Sequence, residues 1–183
     1  MLRGKKIVLV CHCILNSNSK VEGLATFSGA LKDVVSDLID GGIGIIQLPC
    51  PELTMLGIKR WGQTKEQYDN PFYRKHCQEL FKPFKNQIQN YIANGYNIVA
   101  ILGINGSPSC GVDKTCSGVW GGELSGNPNI DTMLEEASLT EGSGIFIEEI
   151  KNLLELDGIV IPVVGLDEDN IEESLKIVKR LLI

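Results

Sequence analysis

Lys5-Lys6-Ile7-Val8-Leu9-Val10-Cys11 is a short continuous apolar run without helical period, the pattern of a strand buried on both faces. Further elements follow in alternation. Leu31, Val34, Val35, Leu38 and Ile39 fall at helical spacing, with Thr26 or Ser28 able to cap the helix and Gly41-Gly42 ending it. Residues 43–48 form a second apolar run that stops at Pro49, which has no ladder donor. From Asn70-Pro71, the residues Tyr73, Cys77, Leu80, Phe81, Phe84, Ile88, Tyr91 and Ile92 make a long helical stripe closed by Gly95. Pro83 is expected to kink or split that helix. Residues 97–102 predict a third strand. Phe146, Ile147, Ile150, Leu153 and Leu154 predict another helix, residues 159–164 a fourth strand and 167–183 a final helix. In this last helix acidic residues come first and basic ones last, as the macrodipole favours.

Strands alternating with helices imply crossover connections and a parallel sheet covered on both faces. The expected fold is α/β, a Rossmann-like three-layer sandwich with a mostly parallel central sheet. At 183 residues the chain has the length of one domain of roughly 100–200 residues, and no repeat or linker divides it. Seven glycines in the 24 residues 103–126 mark a loop whose backbone needs unusual conformations or close approach to something. Within the long loop from Gly111 to Ser143, a small hairpin is expected around residues 119–124.

Hydrophobic residues make up 43% and charged residues 22%, close to globular averages, which excludes disordered, collagen-like and coiled-coil readings. Seventeen basic residues against 23 acidic ones give a formal charge of −6, no field to attract phosphate backbones. Nucleic acid is therefore not an expected partner. No run approaches the roughly 18 apolar residues of a membrane span, and no secretory start is recognised, so no membrane is expected and a cytoplasmic location is, with reduced thiols. The oligomeric state, monomer or homodimer, is left open.

Six cysteines beside two histidines are the unusual part of the composition. In an open parallel sheet, ligands bind beyond the carboxyl ends of the strands, and each of the first three predicted strands delivers a cysteine there. Cys11 and Cys13 follow the first, Cys50 the second, and Cys110 the third within Ser107-Pro108-Ser109-Cys110-Gly111. This is not the paired Cys-x-x-Cys of a zinc ribbon; it suits a cluster held by three independent loops. Cysteine also serves as a small buried hydrophobe. That is the reading for Cys77 on the helical stripe and the first one for Cys11, while Cys116 is either a loop thiol or an accessory to the site.

The segments Cys13-Ile14-Leu15-Asn16, Lys20-Val21-Glu22-Gly23, Cys50-Pro51-Glu52 and Ser107-Pro108-Ser109-Cys110-Gly111 resemble, in order and spacing, those of the thiouracil desulfidase family. The resemblance implies a Rossmann-like fold and a 4Fe-4S cluster held by Cys13, Cys50 and Cys110, with one iron open to take sulfur from a thiolated pyrimidine. It departs from the family at Asn16, at Lys20-Val21-Glu22, along Leu53–Arg60 and beyond Cys110, as a divergent relative would.

The expected chemistry is removal of sulfur from a small thiolated compound as sulfide, with water replacing sulfur by oxygen and no net redox change. An iron without a fourth protein ligand is a Lewis acid toward a thiocarbonyl. Glu52 is the first choice of general base, or else it caps a helix or pairs with Lys59 or Arg60. Ser107 and Ser109 either donate to substrate or cluster, or cap the turn at Pro108. Asn105 is a candidate to read an amide edge and Trp120 to stack on a flat heterocycle. His12 is either a proton donor or hydrogen-bonded structure; His76 is read as solvated and Trp61 as a stacking residue or loop packing alike. No phosphate-binding loop or dinucleotide fingerprint is present. The competing reading is a non-catalytic metal or small-ligand binding protein, with zinc or a sensing cluster closed by Cys11 or Cys116. A third has redox-active thiols pairing Cys110 with Cys116, or Cys11 with Cys13.

Overall fold

The structure is a computed structural model that describes residues 3–119, 121–123 and 125–182. The elements run β1 (Lys6–Val10), α1 (His12–Leu15), a 3-10 turn (Ser17–Ser19), α2 (Lys32–Asp40), β2 (Gly44–Gln47), α3 (Pro51–Leu56), α4 (Lys65–Tyr68), α5 (Pro71–Ala93) and β3 (Asn97–Ile104). They continue as β4 (Lys114–Ser117), α6 (Ile130–Glu136), β5 (Ser138–Glu141), α7 (Ile145–Leu156), β6 (Val163–Leu166) and α8 (Ile171–Leu182).

Four strands form the central sheet in the order β2-β1-β3-β6, and every neighbouring pair in it is parallel. Val8, Leu9 and Val10 of β1 and Ala100, Ile101 and Leu102 of β3 are fully buried. Their side chains alternate between the two faces, so helices must cover both. Helix α2 packs on α8 and α5 on α7, and these helices flank the sheet. The α/β class and the mostly parallel sheet are thus as the apolar runs predict.

Helix α5 begins at Asn70, whose side chain accepts the amide hydrogens of Phe72 at 3.1 Å and Tyr73 at 3.0 Å, with Pro71 in the first turn where no donor is missed. It runs 23 residues through Pro83 without splitting. Pro83 and Glu79 lie on the exposed face, so the carbonyl that loses its donor meets water instead of the core.

Three other expectations shift. Helix α2 starts at Lys32, after Leu31, which makes no side-chain cap, rather than after Thr26 or Ser28. The fourth strand of the sheet, β6, starts at Val163, because Pro162 has no amide hydrogen for the ladder and contributes only its carbonyl, to the Ile101 amide at 2.8 Å. The last helix starts at Ile171, since Ser174 closes the preceding turn by bonding both the amide and the carbonyl of Asp167. The hairpin expected around 119–124 falls in part outside the described residues; β4 pairs antiparallel with the distant β5, and α6 lies in the connection between them. Trp120 and Leu124 lie outside the described residues.

Candidate functional site at the carboxyl edge of the sheet

The parallel sheet places the ends of β1, β2, β3 and β6 on one edge. Beyond β1, Cys11 is the residue before α1 and Cys13 lies within that helix. Beyond β2, Cys50 caps α3, its Sγ accepting the Leu53 amide hydrogen at 3.4 Å. The Gln47 side chain donates to the His12 carbonyl at 2.9 Å, fastening the β2 end to α1. Beyond β3, the chain turns through Ser107–Gly111, where Ser107 Oγ accepts the amide hydrogens of Ser109 at 3.2 Å and Cys110 at 2.9 Å. That turn is tight against its neighbours. A Cβ on Gly111 would stand 2.2 Å from the Lys114 carbonyl oxygen, and one on Gly103 would stand 2.4 Å from that of Cys110.

These loops bring Cys13, Cys50 and Cys110 within electrostatic reach of one another. Burial first, and then the Cys110 sulfur, push the Cys13 thiol well above its ordinary pKa, with Cys50 adding to the shift. The same two causes push Cys50 up to about 12. Cys110 is raised by a hydrogen bond with Cys11 and by burial, so a fourth thiol lies against the group. All six cysteines are free. Cys77 is fully buried in the core on α5, as its place on the apolar stripe predicts. Cys116 lies on β4 with Glu66 nearby.

Two ion pairs flank the thiols. On the Cys50 side, Arg60 Nε donates to Glu52 Oε2 at 3.1 Å, and both side chains are almost wholly shielded. Arg60 also donates to the Ser19 carbonyl at 2.7 Å. On the Cys13 side, Lys20 pairs with Glu168, a residue just past β6, and the Lys20 ammonium lies 5.3 Å from the centre of the Phe27 ring. Lys20 lowers the Cys13 pKa and Glu168 raises it, which places that pair beside the thiol.

Tyr68 and Tyr73 form a stacked wall behind Glu52, with ring centres 4.3 Å apart. The Tyr73 hydroxyl shares a 2.7 Å hydrogen bond with Ser109 Oγ. The Tyr68 hydroxyl lies beside Glu52 yet has no partner of good hydrogen-bond geometry. Burial raises both phenols.

Among the residues singled out from sequence, Glu52 is therefore in the ion pair with Arg60, and both serines are engaged within or behind the turn. Asn105 is committed to its own loop: its Oδ1 accepts the amide hydrogens of Val112 at 3.3 Å and Asp113 at 3.0 Å, and its Nδ2 donates to Asp113 at 3.2 Å. These bonds tie Asn105 to the loop after β3. Trp120, the expected stacking residue, lies outside the described residues. His76 Nε2 is 2.9 Å from Thr54 Oγ1 rather than merely solvated, and Trp61 is 73% exposed. Tyr68, Tyr73 and Glu168 carry no local motif. Of these only Glu168 has a sequence signal, its position directly after a strand of the sheet.

Among the described residues, no group of three or more His, Cys, Asp or Glu side chains is gathered so as to hold a metal ion. A cubane makes a different demand, since each thiolate binds a different iron and the sulfurs stand apart. Three separate loops carrying mutually close thiols suit that donor set, and the cationic irons would offset the cost of deprotonating them. No helix among the described residues is long and apolar enough to cross a membrane.

No protein-family model matches the chain. Over 113 residues the chain is 45% identical to an uncharacterized protein of Methanocaldococcus jannaschii, MJ0003, covering 62% of this chain and 72% of that one. A solved structure, that of the 4Fe-4S-dependent thiouracil desulfidase TudS, aligns with a TM-score of 0.44 and 18% identity over 96% of this chain and 99% of that one.

Proposed function

The chain belongs to the family of the Methanocaldococcus jannaschii protein MJ0003, and we propose that it is an iron-sulfur-dependent desulfidase acting on small thiolated compounds such as thiouracil-like heterocycles. The observation that carries this reading is the convergence of Cys13, Cys50 and Cys110 from the loops after β1, β2 and β3. Cys13, Cys50 and Cys110 would hold a 4Fe-4S cluster, which when bound would supply Lewis acidity toward a thiocarbonyl. The reaction balances without an oxidant: a thiocarbonyl and water give a carbonyl and hydrogen sulfide.

The chain's own residues supply position and proton transfer. Glu52, two residues after a ligand, takes the proton of the attacking water. Arg60 holds that carboxylate by a hydrogen bond, and the Tyr68 hydroxyl lies beside it. Ser107 sets the turn that presents Cys110. Ser109, bonded to Tyr73, ties α5 to the turn beside Cys110. The cytoplasm, where thiols stay reduced, is the compartment this chemistry needs.

A second reading has its own support in the Cys11–Cys110 contact. Four thiols would close a metal site and make it a binding or sensing centre without an open position. The experiment that separates the two is sulfide release from 2-thiouracil by the anaerobically reconstituted protein. Release that depends on Cys13, Cys50 and Cys110 but survives Cys11→Ala supports the desulfidase. A metal lost with Cys11→Ala, together with no sulfide release, supports the closed site.

A further inference from the structure

The sheet ends at β6, which pairs with β3 alone among the described residues. The chain enters that edge strand through Ile159-Val160-Ile161-Pro162-Val163-Val164, six residues without a charge. Natural sheets protect such an edge, since it invites another chain. Here Pro162 removes one ladder donor, but the side chains stay uncovered. Leu154 of α7 with Ile159, Ile161 and Val163 line an open groove. Val160 on its rim is 96% exposed and Leu156, at the end of α7, is 81% exposed, the two most exposed large hydrophobic side chains among the described residues.

The groove is not built for a small molecule. At about 260 Å³ it is below the roughly 300–1,000 Å³ of ligand pockets, and it lacks their convergent polar groups. Its polar side chains are Lys151 and Glu155, one helical turn apart on α7. Lys151 Nζ donates to Ser143 Oγ at 2.8 Å and keeps further donor capacity, while the Glu155 carboxylate has no partner among the described residues. One surface thus carries an apolar ridge beside an apolar groove, with one available charge of each sign. A contact about a two-fold axis requires this, because the same patch must be its own complement. A different partner protein would need neither the ridge beside the groove nor both charges.

We propose that this face joins two copies of the chain, the ridge of Leu156 and Val160 of each packing on the groove of the other and Lys151 of each meeting Glu155 of the other. Strand β6 runs from Val163 at this end to Leu166 at the thiol edge, so the contact lies at the opposite end of the sheet from Cys13, Cys50 and Cys110. The dimer leaves access to the thiols open, and its disruption leaves iron binding and sulfide release unchanged.

The test is sedimentation equilibrium of the full chain as purified, at about 1–200 µM, with circular dichroism to confirm folding. The wild type is expected to reach twice the 20.0 kDa of one chain, and Val160→Glu to stay monomeric. Lys151→Glu and Glu155→Lys each weaken dimerisation at least about tenfold, since each sets like charges face to face at both symmetric contacts. The Lys151→Glu/Glu155→Lys exchange restores it to within about threefold. Should Val160→Glu fail to fold, Leu156→Glu replaces it. A wild type that remains monomeric throughout overturns the proposal. So does a dimer that persists in the folded Val160→Glu or Leu156→Glu variant, its contact then lying elsewhere, and so does an exchange variant no more dimeric than its two parents.

Discussion

The hydroxyls of Tyr73 and Ser109 share a hydrogen bond of 2.7 Å, joining the first turn of α5 to the residue before Cys110. Ser109 is fully buried, so its hydroxyl has no water to fall back on. Tyr73→Phe is expected to cost about 1–3 kcal/mol, the usual range for a buried polar group left unmet. Chemical denaturation of the metal-free protein measures it, and a loss of iron retention in the same variant would show that the bond also holds the ligand turn in place.

Gly111→Ala tests how rigid that turn is. The added Cβ meets two carbonyl oxygens, that of Lys114 at 2.2 Å and that of Ser107 at 2.7 Å. Both belong to backbone, which cannot swing aside as a flexible side chain does. Strain and overpacking of this kind cost about 1–3 kcal/mol or more, and the displaced turn carries Cys110. The expected outcome is a lowered melting temperature with reduced iron content, whereas Gly57→Ala, with open space at its Cβ, lowers stability through its left-handed backbone alone and keeps the iron.

Glu52 and Arg60 separate chemistry from support. Glu52→Gln removes a proton acceptor while preserving shape, and sulfide release should fall by about 10²–10⁴-fold with little change in iron. Arg60→Met leaves a shielded carboxylate without its cation, a change worth about 3–5 kcal/mol in buried pairs. Activity and denaturation measured on both variants distinguish the roles; equal losses of stability with no activity difference would remove Glu52 from catalysis.

Acid sensitivity is expected at Asp69. The Arg74 guanidinium donates to Asp69 at 2.7 Å and holds its carboxyl below the ordinary value. Because the folded state releases this proton more readily than the unfolded chain, the pair stabilises the fold above about pH 4. That contribution is lost as the pH falls through the depressed value. Asp69 is about half exposed, so solvent screening keeps the effect small. Thermal melts between pH 7 and 2.5 should show a shallower acid decline in Asp69→Asn than in the wild type.

The sheet is legible because Val8–Val10 and the run at 43–48 are apolar without helical period, and a buried parallel strand needs no other signal. Pro162 shows the limit of that rule: its neighbours read as strand, while its missing donor delays the ladder to Val163. The thiol edge follows from strand direction, and the family resemblance singles out Cys13, Cys50 and Cys110 within it. Of the flanking groups only the Glu52–Arg60 pair was legible. Tyr68 and Tyr73 reach the site through the packing of α4 and α5, and Glu168 through the connection after β6, none of which leaves a spacing in the chain. Asn105 shows that a polar residue at a strand end also suits the ordinary task of holding a loop.

Iron and acid-labile sulfide content after anaerobic reconstitution, compared across the wild type and the Cys13→Ser, Cys50→Ser, Cys110→Ser and Cys77→Ser variants, tests the central claim most directly. The account predicts about four of each per chain in the wild type, loss in each of the first three variants, and full content with lowered stability in Cys77→Ser. Full cluster content in any one of the first three, or a single tightly held zinc in the wild type, would contradict it.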